Sequence, residues 1–301
     1  MTMNLTLSGR GLCLCFALAV GCALSAGVLA QEANYPSADA AAKAFVDALR
    51  NNDKVALAKV LGANWKDYIP TDGIDRSDVD VFLARFDEAH RIDGDAKSGH
   101  LAVGKDDWTL PIPIVQGPSG WHFDVKTAQG EIRTRHIGAN ELATEKAMLA
   151  YYDAQRDFAS KDRMGDGVLQ YAQKFMSTQG KHDGLYWPVS GDEPESPLGP
   201  LFAEVTPGQG YHGYRYRILT AQGPSAPGGA YNYIVGGRMT SGFALVAWPI
   251  KYGETGVMTF MVSHDGETFE KDLGKDTDKL VQTIKRFDPD SSWEEVKDDE
   301  K

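Results

Sequence analysis

Beyond residue 22 the sequence contains no cysteine: Cys13, Cys15 and Cys22 are the whole complement. Once shortened past that point, the chain can hold no disulfide, thiolate metal site or cysteine nucleophile, even in an oxidising compartment where disulfides persist. Cations are also scarce, with 31 Lys and Arg against 42 Asp and Glu and a formal charge of −11. That balance argues against nucleic acid as a partner and against an electrostatic hold on anionic lipid. Long apolar runs are missing after residue 30, so no membrane span is expected in the remainder. Common catalytic signatures are missing as well: there is no G-x-S-x-G, no H-E-x-x-H, no P-loop and no Ser-x-x-Lys with its companions.

Residues 1–30 have what the rest lacks. One cation, Arg10, precedes an uncharged apolar run that closes on small residues before Glu32. The pattern is that of a secretory signal peptide, with Val28 and Ala30 at positions −3 and −1 and cleavage expected after Ala30. A periplasmic or secreted protein follows from it. Two other fates fit the same stretch: a lipid anchor at Cys22, and retention of the run in the membrane. Ala19 stands where a lipoprotein box normally has Leu, and Gly, Ser and Cys dilute the run as an anchor, so simple cleavage is preferred.

From Ser37 the apolar spacing is helical, with Ala41, Phe45, Val46 and Leu49 on one stripe that breaks at Asn51-Asn52-Asp53 and resumes. A third helix is expected from about Ser77, with Val79, Phe82, Leu83 and Phe86 on one face. The period then becomes two over HLAVGK, WTLPIPIVQ and GWHFDV, which predicts a three-stranded antiparallel meander. Pro111 and Pro113 should turn their missing donors to an edge. A short helix over GEIRTRHIG and a long one capped by Asn140 follow, and VLQYAQKFM is expected to add a turn or two. Residues 177–213 are rich in Gly and Pro and read as a long loop with one short helix over 198–205. Strands return after it, and Asp265-Gly266 between two alternating runs is the strongest hairpin signal in the chain. A closing helix over TDKLVQTIKRF precedes a charged tail. The expected class is α+β, built of two halves that each join helices to an antiparallel sheet. The boundaries are 1–30 for the leader, 31–137 and 138–290 for the two domains, and 291–301 for an acidic disordered tail.

Several long blocks carry a family resemblance: DDWTLPIPIV with GWHFD, RHIGANELA with YYDAQRDFASKD, GKHDGLYWP, SPLGPL, YHGYRYRILTAQGPSAPGGAYNYIV and GFALVAWPIKYGETGVMTFMVSHDGETFEKDLG. On these the chain resembles the exported bacterial proteins of the domain of unknown function family numbered 2950. The resemblance covers nearly all of the sequence after the leader. It implies an envelope protein and brings no activity with it. In pattern alone, the opening helices and Trp-rich meander look NTF2-like, and ALVAWPIKYGETGVMTFMVSHDGETF looks like the sheet of a pilin head; neither likeness carries function.

Three stretches raise the question of chemistry. In SKDRMGDG, Asp162, Asp166 and Gly167 match positions 1, 5 and 6 of a calcium loop, but Met164 occupies position 3 and Gln173 position 12. Without those two anionic oxygens the stretch reads first as a helix-ending turn in which Gly165 and Gly167 supply positive φ, and calcium is the lesser reading. Gly208 to Gly213 spells G-x-G-x-x-G, yet a strand follows where a dinucleotide site needs a helix. His182, Asp183 and His212, with Tyr186, Trp187 and Tyr211 beside them, are the candidate acid/base and ligand-binding residues. The plainer account has His182-Asp183-Gly184 as a turn and the rings as pins to the core. The first expectation is a non-enzymatic binding or assembly module of the envelope, needing no cofactor and partnered by an envelope protein or glycan. The alternative is an envelope hydrolase acting on glycan or peptide through the 177–213 loop.

Overall fold

A computed structural model describes residues 33–69, 74–106, 108–189, 195–199 and 210–297. The leader with Ala30 and Cys22, most of the helix expected over 198–205, and Gly208 with Gln209 lie outside these residues.

The local signals near the start do what their chemistry dictates. The Ser37 hydroxyl accepts the Ala40 amide at 3.1 Å and starts α1 (Ala38–Arg50), whose inner face carries Ala41, Phe45 and Val46. Asn52 takes a left-handed turn (φ 51°), and the Asp53 carboxylate accepts the Val55 and Ala56 amides to start α2 (Lys54–Leu61). Asp75 and Asp78 form a reciprocal capping box at the head of α3 (Arg76–Glu88).

The first sheet is larger than expected. Its strands are β1 (His90–Gly94), β2 (Ser98–Val103), β3 (Trp108–Thr109), β4 (Ile114–Gly117) and β5 (Gly120–Phe123), all antiparallel and ordered β1-β2-β4-β5, with β3 also on β2. Strand β1 had no forecast, because its polar residues follow an amphipathic helix without a break in composition. Pro111 and Pro113 fall in the gap between β3 and β4, so the expected middle strand is two strands and neither proline has to donate. Phe45, Leu83, Leu101, Ile114 and Phe123 form the first core.

Helix α4 (Val125–Ala159) is the chief departure from expectation. Asp124 caps it through the Thr127 amide at 3.0 Å, and the helix then runs through Gly130, Gly138 and Asn140 without interruption. Its 35 residues extend about 52 Å. Asn140 is therefore no cap but a buried mid-helix residue, and the boundary drawn at 137/138 falls inside the helix. Val125, Ala128 and Ile132 enter the first core, whereas Met148, Tyr151, Ala154 and Phe158 enter the second.

The second core lies under a sheet ordered β14-β13-β12-β11-β6, built from β6 (Tyr214–Leu219), β11 (Ala244–Pro249), β12 (Met258–Ser263), β13 (Thr268–Asp272) and β14 (Glu294–Glu295). Short ribbons pair β7 (Ala221–Gln222) with β8 (Tyr231–Asn232) and β9 (Ile234–Val235) with β10 (Arg238–Met239). The Asp265-Gly266 turn does join β12 to β13, with Gly266 at φ 87°. Three local expectations fail. Residues 168–176 are not helical, since Tyr171 bridges to Met239 and the Ala172 amide donates to Gln155 Oε1 at 2.8 Å. The closing helix shrinks to α5 (Thr277–Leu280) and a 3-10 turn over Val281–Thr283, and beyond α5 the Val281 and Ile284 carbonyls accept from the Arg217 guanidinium. The tail carries structure over its described part: Glu294–Glu295 pair with β13, the Val296 amide donates to the Thr268 carbonyl, and Trp293 packs on the core. Among the described residues no helix is long and apolar enough to cross a membrane.

Candidate functional site

The calcium-like stretch begins where α4 ends. One oxygen of Asp162 accepts the Gly165 amide at 2.8 Å and the Asp166 amide at 3.3 Å, and its other oxygen accepts Gly167 at 2.8 Å. Gly165 and Gly167 have φ 69° and 78°, as a turn of this kind requires. Asp166 is held from outside the loop: Arg238 Nε donates to it at 2.8 Å, and this bond first, then the Val168 amide and Gln170, keeps its carboxyl below the usual range against the opposing effect of desolvation. Among the described residues no group of three or more His, Cys, Asp or Glu is arranged to hold a metal ion.

Residues 174–187 fold back on themselves and are stitched to the core. The Tyr186 amide donates to Phe175 O and the Ser177 amide to Tyr186 O, both at 2.8 Å. Trp187 is buried, with the His182 ring stacked on it at 4.3 Å and the Arg163 guanidinium 5.4 Å from its centroid. Asp183 turns elsewhere. It accepts Lys174 Nζ at 2.7 Å, the Thr178 amide at 2.7 Å and the Thr178 hydroxyl at 2.9 Å. Burial pushes the Asp183 carboxyl up, but Lys174 and the two Thr178 donors together outweigh it and bring the pKa to about 2. His212 sits at φ 48° before Gly213 at 72°, and Tyr211 and Tyr214 exchange backbone hydrogen bonds across the pair. This is the two-residue hairpin loop with positive φ at both positions, and β6 follows it, where a dinucleotide site would have a helix. The His212 ring lies 4.1 Å from that of Tyr211, and its desolvation lowers the imidazole pKa. The structure thus joins His182 to Trp187 and Tyr211 to His212, while the Asp183 carboxylate belongs to Lys174 and Thr178.

Two grooves border β1, and motif reading found neither. The first, about 420 Å³, lies between the sheet and the start of α4 and is lined by Asp93, His100, Thr109, Thr127, Glu131 and Arg135. Asp93 and His100 are cross-strand partners. His100 Nδ1 is 3.0 Å from the Leu110 carbonyl, which only accepts, so that nitrogen carries a hydrogen. Arg135 donates to Glu131 at 2.7 Å and to the Thr109 carbonyl at 2.6 Å. The second groove, about 460 Å³, runs between α1 and β1 over a floor that includes Val46, Phe86 and Ile92, with Lys43, Asp47 and Arg50 along its wall. The Glu131/Arg135 spacing of four was legible as a helical pair. The meeting of Asp93 with His100 depends on the unforeseen β1.

What these features define is an α+β protein with two cores on one shared helix and open polar grooves beside its first sheet. By sequence, the chain belongs to the family described as a protein of unknown function, DUF2950, whose model matches residues 32–296. No curated protein and no solved structure matches it, so the NTF2-like and pilin-head likenesses rest on pattern alone.

Proposed function

We propose that this protein is exported and acts in the cell envelope as a non-enzymatic binding or assembly module, with an envelope protein or glycan as its partner. The observation that carries the reading is the engagement of the Asp183 carboxylate by Lys174 and Thr178. A carboxyl with a pKa of about 2 is ionised at any pH the envelope meets, so it does not serve as a general acid, and with Lys174 and Thr178 on its oxygens it is a poor base. His182 is stacked on a buried ring and pins the loop. The open polar groups lie instead along β1, in grooves suited to holding a partner. Export is supported by the leader pattern of residues 1–30.

Two measurements test this. Mass analysis of the protein recovered from the periplasmic fraction should find a chain that begins at Gln31; an intact leader on a cytoplasmic protein would sink the localisation. Alanine at His182, Asp183 and His212 should lower the melting temperature and leave unchanged any background hydrolysis of cell-wall glycan or peptide. Turnover by the parent that disappears in these variants would establish the hydrolase.

A further inference from the structure

Strand β1 ends its sheet and pairs only with β2 among the described strands. The hydrogen bonds that flank it fix which of its backbone groups point outward. Gly104 N–H donates to Ala89 O at 2.9 Å and Asp95 N–H to Ser98 O at 2.8 Å, so the odd-numbered residues of β1 face β2. The backbone groups of His90, Ile92 and Gly94 therefore point away from the sheet, and no bond within the described residues takes them. The His90 and Ile92 side chains lie toward the second groove, where Ile92 packs toward the first core, while the Arg91 and Asp93 side chains, two residues apart on the strand, approach to 3.7 Å.

We propose that β1 is a self-association edge, which pairs antiparallel with β1 of a second copy about a twofold axis through Ile92. The proposal builds on the assembly reading above and names the partner as this same chain. That register sets Ile92 opposite Ile92, and His90 opposite Gly94, so every outward-pointing donor meets an acceptor. It also sets Arg91 of each copy directly opposite Asp93 of the other, in the pairs whose side chains approach closest. Two intermolecular ion pairs join the existing Arg91–Asp93 contacts in a ring of alternating charge, and the two first sheets become one. Charges at an edge strand usually keep it unpaired. Here their order is self-complementary about the one axis that also satisfies the backbone.

Sedimentation of the purified protein from about 1 µM to about 1 mM, the range in which small interfaces associate, should show a species of twice the chain mass. Arg91→Asp and Asp93→Arg each place like charges opposite one another twice and should weaken association about tenfold or more. The double variant R91D/D93R restores opposite charges and should recover it. Ile92→Pro removes an outward donor without touching the β2 ladder and should leave a monomer; its melting curve, and those of the charge variants, show that each is folded. A parent that is monomeric over the whole range overturns the proposal, and so does a dimer indifferent to both single reversals. Neither result bears on export or on the loop variants, which are read separately.

Discussion

Asp183 shows how far a dipeptide can be read. His182-Asp183 looks like an acid/base pair because the residues adjoin, yet the chain turns between them: one ring stacks on Trp187 and the carboxylate goes to Lys174 and Thr178. The folded pKa of about 2 lies below the ordinary 3.8, and the side chain is only 13% exposed, so the shift stabilises the fold by roughly 2 kcal/mol at neutral pH. A depressed carboxyl contributes fully above its unfolded value and loses that contribution as pH falls through the folded one. Asp183→Asn should therefore cost roughly 2 kcal/mol at pH 7 in urea titrations, with the difference from the parent closing between about pH 4 and about pH 2. The Asp162 loop yields a second expectation. Its carboxylates are already engaged by four amides and by Arg238, so melts in chelator and in millimolar calcium should coincide, with Asp166→Ala lowering both equally. A calcium-dependent rise lost in the variant would make the loop a metal site. The turn itself was legible, since Gly165 and Gly167 are the residues such a turn demands; Arg238 was not, lying 72 positions away in sequence.

Among the elements, α1, α2 and α3 were legible because their starts are written locally, in Ser37, Asp53 and Asp75. Helix α4 was divided in error because Gly138 followed by Asn140 reads as a stop and a new cap. Distant contacts decide otherwise: Asn140 Nδ2 donates to the Thr255 carbonyl at 2.9 Å, and Glu141 accepts the Val257 and Met258 amides at 2.8 and 3.0 Å. Tyr214 donates to the same Glu141 oxygen at 3.3 Å, and its ring lies so close to Gly256 that a Cβ there would overlap it. Glu141→Ala should cost about 2 kcal/mol or more, because the Val257 and Met258 amides lose a charged acceptor. At Gly138 nothing lies within 4 Å of an added Cβ. Gly138→Ala should then stabilise by up to about 1 kcal/mol, whereas Gly138→Pro should cost about 3 kcal/mol or more. Thermal unfolding of the alanine variant at or below the parent temperature would contradict the continuous helix. The tail escaped notice for the opposite reason: its acidic composition outweighed Trp293 and Val296, the two residues that anchor it.

At the scale of the whole molecule, two cores and one helix make a unit that the alternation of helices and strands only half disclosed. The α+β class was readable from periodicity, since each sheet announces itself by its own run of alternating residues. The coupling was not, because it resides in α4 passing from one apolar cluster to the other. Unfolding of the parent should be a single transition by both heat and urea, and Gly138→Pro should resolve it into two, checked by calorimetry. The middle of α4 has a further consequence in time. Helix ends ordinarily trade their amide hydrogens with solvent first, and a helix buried at one end frays from the other. Here both ends are anchored in apolar clusters, and residues 140–144 are tied to the second sheet between them. The amides there should exchange only through openings that release a whole core, so deuterium uptake across the centre of α4 becomes a clock for the slowest motion of the molecule.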